Sequence, residues 1–236
     1  MTSPNKPLIQ IDCLAKTFVL HNQGGASVPV FAGLDLTVAA GECVVLSGDS
    51  GVGKSTLLRS IYGNYLPTDG TVHVRHDGAM VDIVTASPAL VRNVRTRTMG
   101  YVSQFLRVIP RIATIDLVME PLLETGVAPD VARARAEGVL NALRLPRGHW
   151  DLPPATFSGG EQQRVNIARA MVRDYPIVLL DEPTASLDPA NRAIVVDFMK
   201  SALARGAAMI GIFHDQDVRD RVATRLFEVS QYRAAA

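Results

Sequence analysis

The chain is poor in most of the features that mark a secreted, membrane-spanning or nucleic-acid-binding protein. Cysteine occurs only at Cys13 and Cys43, with no metal-ligand spacing, which excludes a disulfide scaffold and a zinc module. Both are expected as reduced thiols buried in strands. The formal net charge is +1 over 236 residues, so no bulk electrostatic argument favours nucleic acid or an anionic lipid surface. No run approaches the roughly 18 uninterrupted apolar residues of a membrane span. The opening MTSPNKPLIQI lacks the apolar core of a signal peptide, so a cytoplasmic protein without direct membrane insertion is expected. Internal repeats are absent, and low complexity is confined to Ala234, Ala235 and Ala236. Aliphatic residues, by contrast, are plentiful. A chain that is 47% hydrophobic and 20% charged can bury a sizeable core in one large domain, or a domain with a subdomain.

Against that background the run Gly48 to Thr56, GDSGVGKST, fits G-x-x-x-x-G-K-[ST]. Gly48, Gly51 and Gly53 permit positive φ and a close approach to phosphate, so that the N–H groups of Asp49, Ser50, Val52 and their neighbours converge on an anion. Lys54 reaches the β- and γ-phosphates, Ser55 offers a hydroxyl to Mg²⁺, and Thr56 to Ser60 continue as a helix whose positive end faces the same phosphates. Cys43 to Ser47 read as the buried strand that enters the loop. Far downstream, Ile177 to Leu180 form an apolar run ending in Asp181 and Glu182. This is a buried parallel strand with acids at its carboxyl end, where α/β sheets bind ligands. Asp181 suits the Mg²⁺ shell and Glu182 suits polarisation of an attacking water, against the plainer reading of a solvated acid pair.

A third segment, TFSGGEQQRVNIARA from Thr156 to Ala170, resembles the signature of the ATP-binding-cassette family, FSGGE standing for LSGGQ. Ser158 can cap the following helix, while Gly159 and Gly160 expose its first N–H groups beside Glu161, a second anion site with no phosphate of its own in the monomer. The resemblance implies a head-to-tail homodimer, or a heterodimer with a sister cassette, in which each signature closes on ATP and Mg²⁺ held by the other copy. It also implies roles for Gln104 as the Q-loop glutamine and a metal-shell residue, for Ser186-Leu187-Asp188 as the D-loop, and for His214 as the switch histidine. Phe18 stands where the family stacks adenine, although a core aromatic reads equally from the residues. Many cassettes carry proline before the Q-loop glutamine, where this chain has Ser103.

The implied fold is an α/β P-loop NTPase with a RecA-like parallel sheet, an N-terminal antiparallel β subdomain and an inserted α-helical subdomain, spanning 1–104 and 175–236 for the core and 105–174 for the insert. Local patterns agree. Leu8 to Phe18 and Gly33 to Val38 alternate as half-buried strands around a loop from His21 to Ser27, and Thr71 to Thr85 reads as a hairpin turning at Asp77-Gly78. Asp116 to Leu123 and Val131 to Leu143 have helical spacing, with Asp130 expected as N-cap and Pro146 as terminator. Asp188 is expected to cap a helix that begins with Pro189 and stops before Gly206, ahead of a strand from Ala207 to Phe213. Arg92, Arg95 and Arg97 read as a solvated basic face or a docking face. Leu106, Val108 and Ile109 are candidates for partner contact or core packing.

The words TASP (Thr85 to Pro88), GYVSQFLRVIPR (Gly100 to Arg111), PATFSGGEQQRVNIARA (Pro154 to Ala170) and GIFHD (Gly211 to Asp215) resemble the L-type ATP-binding subunits of the bacterial carbon-phosphorus lyase system. Asn166 and Phe213 are the distinguishing substitutions, generic cassettes more often reading R-V-A-I-A-R-A and T-H-D. That resemblance implies a role in phosphonate catabolism with soluble lyase subunits as partners. The alternative is the ATPase of a membrane exporter of the lipoprotein-release or macrolide-efflux type.

Overall fold

The computed structural model describes residues 6–20, 24–104, 106 and 111–234. Two sheets organise it. Strands β1 (Pro7–Leu20), β2 (Ala26–Ala39), β4 (Asp69–His76) and β5 (Ala79–Asp82) form an antiparallel sheet in the order β2-β1-β4-β5. Strands β3 (Cys43–Ser47), β6 (Met99–Val102), β7 (Ile177–Asp181), β8 (Ala208–Ile212) and β9 (Arg225–Glu228) form a parallel sheet in the order β6-β7-β8-β3-β9.

The continuous apolar runs of β3, β7 and β8 are explained by a core on each face of the parallel sheet. Successive side chains alternate between them. Val44, Leu46, Ile177, Leu179 and Ile210 pack toward the antiparallel sheet and the helix α1 (Lys54–Ile61). Cys43, Val45, Val178, Leu180 and Met209 pack on the opposite side, where α3 (Thr114–Leu123), α4 (Pro129–Ala142), α5 (Gly159–Met171) and α6 (Pro189–Ala204) contribute their apolar faces. Each fully buried aliphatic side chain contributes about 1.5–3 kcal/mol before ordering costs.

The β4–β5 hairpin turns at Asp77 and Gly78, both at positive φ (47° and 87°), the pattern of a tight primed turn. The first two strands run further than their alternation suggests. Ser27 pairs with Val19, so it belongs to β2 and not to the loop, of which His21, Asn22 and Gln23 lie outside the described residues. Asp130 does not cap α4. Pro129 takes the first helical position, which its fixed φ suits, so Ala128 becomes the cap and Asp130 joins the first turn. The same helix ends before Pro146, at Leu143, with Arg144 at φ 54°. Cys13 is exposed because the β1 register shifts between Ile11 and Leu14 and turns it outward at φ 50°. Cys43 is buried, and burial pushes its thiol up to about 12, which leaves it inert. Among the described residues no helix is long and apolar enough to cross a membrane.

Candidate active site

The P-loop joins β3 to α1 at the carboxyl edge of the parallel sheet. Gly48 (φ 128°) and Gly53 (φ 106°) are required by packing behind the loop as much as by any ligand in front of it. A Cβ on Gly48 would lie 2.7 Å from Ser230 Oγ and 2.8 Å from Glu228 Oε1, and one on Gly53 would lie 2.5 Å from Val30 Cγ1. A Cβ on Gly51 would meet nothing within 4 Å, so that glycine faces the open side. Lys54 Nζ donates to the carbonyls of Gly48 (2.7 Å) and Asp49 (2.8 Å), and thus sits over the mouth of the loop.

Across the sheet, β7 delivers Asp181 and Glu182. Asp181 is 1% exposed, and its two oxygens accept from Ser55 Oγ (3.0 Å) and Tyr101 Oη (3.1 Å). Burial first, and then the Asp181 charge, push the Tyr101 phenol upward, so it remains a donor. Glu182 has φ 52°, a left-handed conformation that a non-glycine residue adopts at a cost and that recurs at functional sites. This kink aims its carboxylate away from the strand. His214 Nε2 lies 2.7 Å from Oε1, and Gln104 Nε2 donates to Oε2 at 3.0 Å. Ser50, Gly51, Gly53, Lys54, Ser55, Thr56, Glu182, Ile212 and His214 line one cavity of about 180 Å³.

This arrangement fits a nucleoside triphosphate with Mg²⁺. Ser55 and Asp181 supply adjacent hard oxygens, and Mg²⁺ is commonly held by one or two protein oxygens together with substrate phosphates. Gln104, expected in the metal shell, donates its amide Nε2 to Glu182 Oε2, a bond that does not use its carbonyl oxygen. Phe18 does not line the cavity: it is partly buried, Lys16 Nζ lies 4.6 Å over its ring, and Tyr65 meets it edge-on.

Ser158, Gly159, Gly160 and Glu161 lie apart from this cavity. Ser158 caps α5 in a complete capping box with Glu161. A Cβ on Gly160 would lie 2.9 Å from the carbonyl of Ser186, so the signature and the D-loop are packed together. Asp188 caps α6 through the Asn191 N–H at 2.9 Å, as its position before Pro189 suggests. Arg192 joins this region to the switch, bonding the Leu187 carbonyl at 3.0 Å and pairing with Asp215, the residue after His214.

Tyr101, Glu228 and a buried amide network border the site and are passed over by motif reading. Glu228 bonds Ser230 and Ser47 beneath the P-loop, which holds its carboxyl below the usual range. Asn166 Nδ2 donates to the Ser103 carbonyl (2.7 Å), and Gln163 Nε2 to the Pro183 carbonyl (3.0 Å), so α5 grips the residues flanking both Gln104 and Glu182. The signal was present in the departures Ser103 and Asn166, which touch one another. Val108 and Ile109 lie outside the described residues, while Leu106 packs against the core on the α3–α5 side.

Residues 31–185 match the profile of the ABC transporter family. The chain belongs to that family, and it is an ATP-binding and ATP-hydrolysing cassette. It is 36% identical over 226 residues to the lipoprotein-releasing system ATP-binding protein LolD of Xanthomonas oryzae pv. oryzae, covering 95% of this chain and 88% of that protein. It is 38% identical over 223 residues to the macrolide export ATP-binding/permease protein MacB of Brucella melitensis, covering 94% of this chain but spanning only 33% of that longer protein. Among solved structures, the dimeric post-hydrolysis state of the cassette MJ0796 bound to ADP and phosphate superposes with TM-score 0.84 at 26% identity, over 94% of this chain and 95% of the other.

Proposed function

We propose that this cassette hydrolyses MgATP by closing head to tail with a second cassette and so powers a multi-subunit assembly. The observation that carries the reading is the convergence of Lys54, Ser55 and Asp181 beside a Glu182 held by Gln104 and His214. Lys54 and the N–H groups of 48–56 bind the β- and γ-phosphates, Ser55 and Asp181 hold Mg²⁺, and Glu182 orients and polarises the attacking water. Bound Mg²⁺ compensates the phosphate charge. His214 shares a hydrogen bond with Glu182 and orients it, while Gln104 reports on the same carboxylate from the strand that leads toward the 105–174 insert. Ser158 and the N–H groups of Gly159 and Gly160 are directed to the γ-phosphate of the partner copy, and Phe18 to its own adenine. The dimeric form of the structural neighbour supports the pairing.

The named relatives support an export ATPase of the LolD or MacB kind, and they do not carry the phosphonate-lyase assignment that the sequence words suggest. On the transport reading a partner docks beside the insert. The groove formed by α2 (Pro88–Arg97), the end of α3 and α4 is a cavity of about 680 Å³. Arg92, Arg97, Arg135 and Arg173 line it against a single acid, Glu124. Arg173 donates to the Thr96 and Arg97 carbonyls, and among the described residues Arg97 lies 3.5 Å from Asp77. An acidic partner segment suits that face.

The phosphonate-lyase reading stands second on the sequence words alone: Ser103 and Asn166, both departures from the generic cassette pattern, form one contact beside the Q-loop that fits either reading. The two readings part in a tagged pull-down from cells grown on phosphonate as sole phosphorus source. Recovery of an integral membrane permease, with normal growth of the deletion strain on phosphonate, supports export. Recovery of soluble lyase subunits, with growth lost only on phosphonate, overturns it.

A further inference from the structure

Behind the signature loop stands a histidine that none of the motifs includes. His149 closes a short 3-10 turn, Arg147–His149, and its ring stacks on Phe157 at 4.7 Å between centroids. Its Nδ1 lies 3.3 Å from Glu161 Oε1, within ion-pair reach yet off the line of a hydrogen bond, so that Nδ1 has no hydrogen-bond partner among the described residues. The other oxygen of the same carboxylate, Oε2, accepts both the N–H (2.9 Å) and the hydroxyl (2.6 Å) of Ser158. One carboxylate therefore bridges an imidazole and the serine that opens the signature helix.

The consequence follows from counting protons. The Ser158 hydroxyl has one hydrogen, and while it is given to Glu161 it is not available to an anion arriving at the helix N-terminus. An ionised Glu161 in that first turn suits the helix dipole but repels a phosphate approaching the same N–H groups. A protonated His149 turns Nδ1–H onto Oε1 and draws the negative charge toward itself, which weakens the competing hold of Oε2 on Ser158. The bonds from Ser158 hold the Glu161 carboxyl below its usual range, with His149 and Arg164 adding to the effect. Arg164, on α5 itself, also acts on the Glu161 carboxylate, while Arg147, which opens the same 3-10 turn as His149, lies 5.0 Å over the Trp150 ring.

We propose that His149 is a positioning residue for the signature loop: by engaging Glu161 it frees the Ser158 hydroxyl for the terminal phosphate of a nucleotide held by a second copy. The inference rests on head-to-tail closure. In the Glu182→Gln background, in which slowed turnover should let closed dimers accumulate, MgATP-driven dimerisation is followed by light scattering at about pH 6 and about pH 8, either side of the ordinary histidine range. The dimer tightens about tenfold at the lower pH, the size of one added charge-assisted hydrogen bond in a half-exposed site. His149→Phe keeps the ring stack, loses the pH response and stays at the weak level. Glu161→Gln keeps the capping oxygen and is pH-independent at the tight level. Binding of a fluorescent ATP analogue to the monomer is unchanged in both. A His149→Phe protein with the undiminished pH response, or a Glu161→Gln protein that still shows it, overturns the role of His149 and leaves closure standing. Absence of MgATP-driven dimers at either pH overturns closure and this inference together.

Discussion

Glu182→Gln is the substitution whose effect the geometry defines most sharply. The replacement is isosteric, so the kinked backbone at φ 52° and the N–H bond to the Ile212 carbonyl (3.1 Å) are kept. The Gln104 amide, now 3.0 Å from Oε2, finds a carbonyl oxygen at the same place, and the new NH₂ group faces His214 Nε2, which accepts from it in the neutral tautomer. The variant loses only the charge and basicity of the carboxylate. A positioned general base contributes about 10²–10⁴ in rate, equivalent to about 3–5 kcal/mol of barrier. Phosphate release from purified enzyme should therefore fall by at least about a hundredfold, while ATP binding, which rests on Lys54 and the P-loop N–H groups, stays within about twofold. The melting temperature should move little, since the carboxylate is only 17% exposed yet remains hydrogen-bonded in the variant. A Glu182→Gln protein that turns over ATP at the wild-type rate refutes the reasoning, as does one that loses ATP affinity and turnover in parallel.

Gly160→Ala places a methyl group 2.9 Å from the Ser186 carbonyl, so MgATP-driven dimerisation, read by gel filtration, should be lost while monomer nucleotide binding persists. Asp181→Asn removes the charge and sets an amide NH₂ against one of the two hydroxyls, Ser55 or Tyr101, and ATPase titrations against Mg²⁺ should shift to at least about tenfold higher metal with a lower plateau. Burial of Asp82 favours its neutral form, but the Thr85 hydroxyl (2.7 Å) and the N–H groups of Val84 (3.0 Å) and Val72 (3.3 Å) outweigh it and hold the carboxyl below its usual range. Its stabilisation is thus present above the unfolded value of about 3.9 and is lost as pH falls through the lower folded value. Urea midpoints of Asp82→Asn and wild type should differ at neutral pH and converge in acid. In the native protein one thiol, Cys13, should react with a disulfide reagent in minutes, and Cys43 only on unfolding.

Much of this protein is determined along the chain. Glycine spacing followed by Lys54 and Ser55 defines a phosphate loop because φ preference and side-chain reach are local properties. The apolar run at Ile177 to Leu180 announces a strand covered on both faces, and Asp77-Gly78 and Asp188-Pro189 announce a turn and a helix start, because the residues that satisfy those backbones are their immediate neighbours. Caps failed where two local signals competed, as at Pro129 and Asp130. The pairing of distant segments was not legible in the same way. Ser55 and Asp181 are 126 positions apart, and Gln104 and Glu182 are 78 apart, so the motifs could be named but not brought into contact. Periodicity says which face of an element is buried, not which element covers it. For that reason the left-handed kink at Glu182, the hold of Asn166 on Ser103 and the bridge from His149 through Glu161 to Ser158 were decided only when the sheet order and the packing of α5 set those side chains against one another.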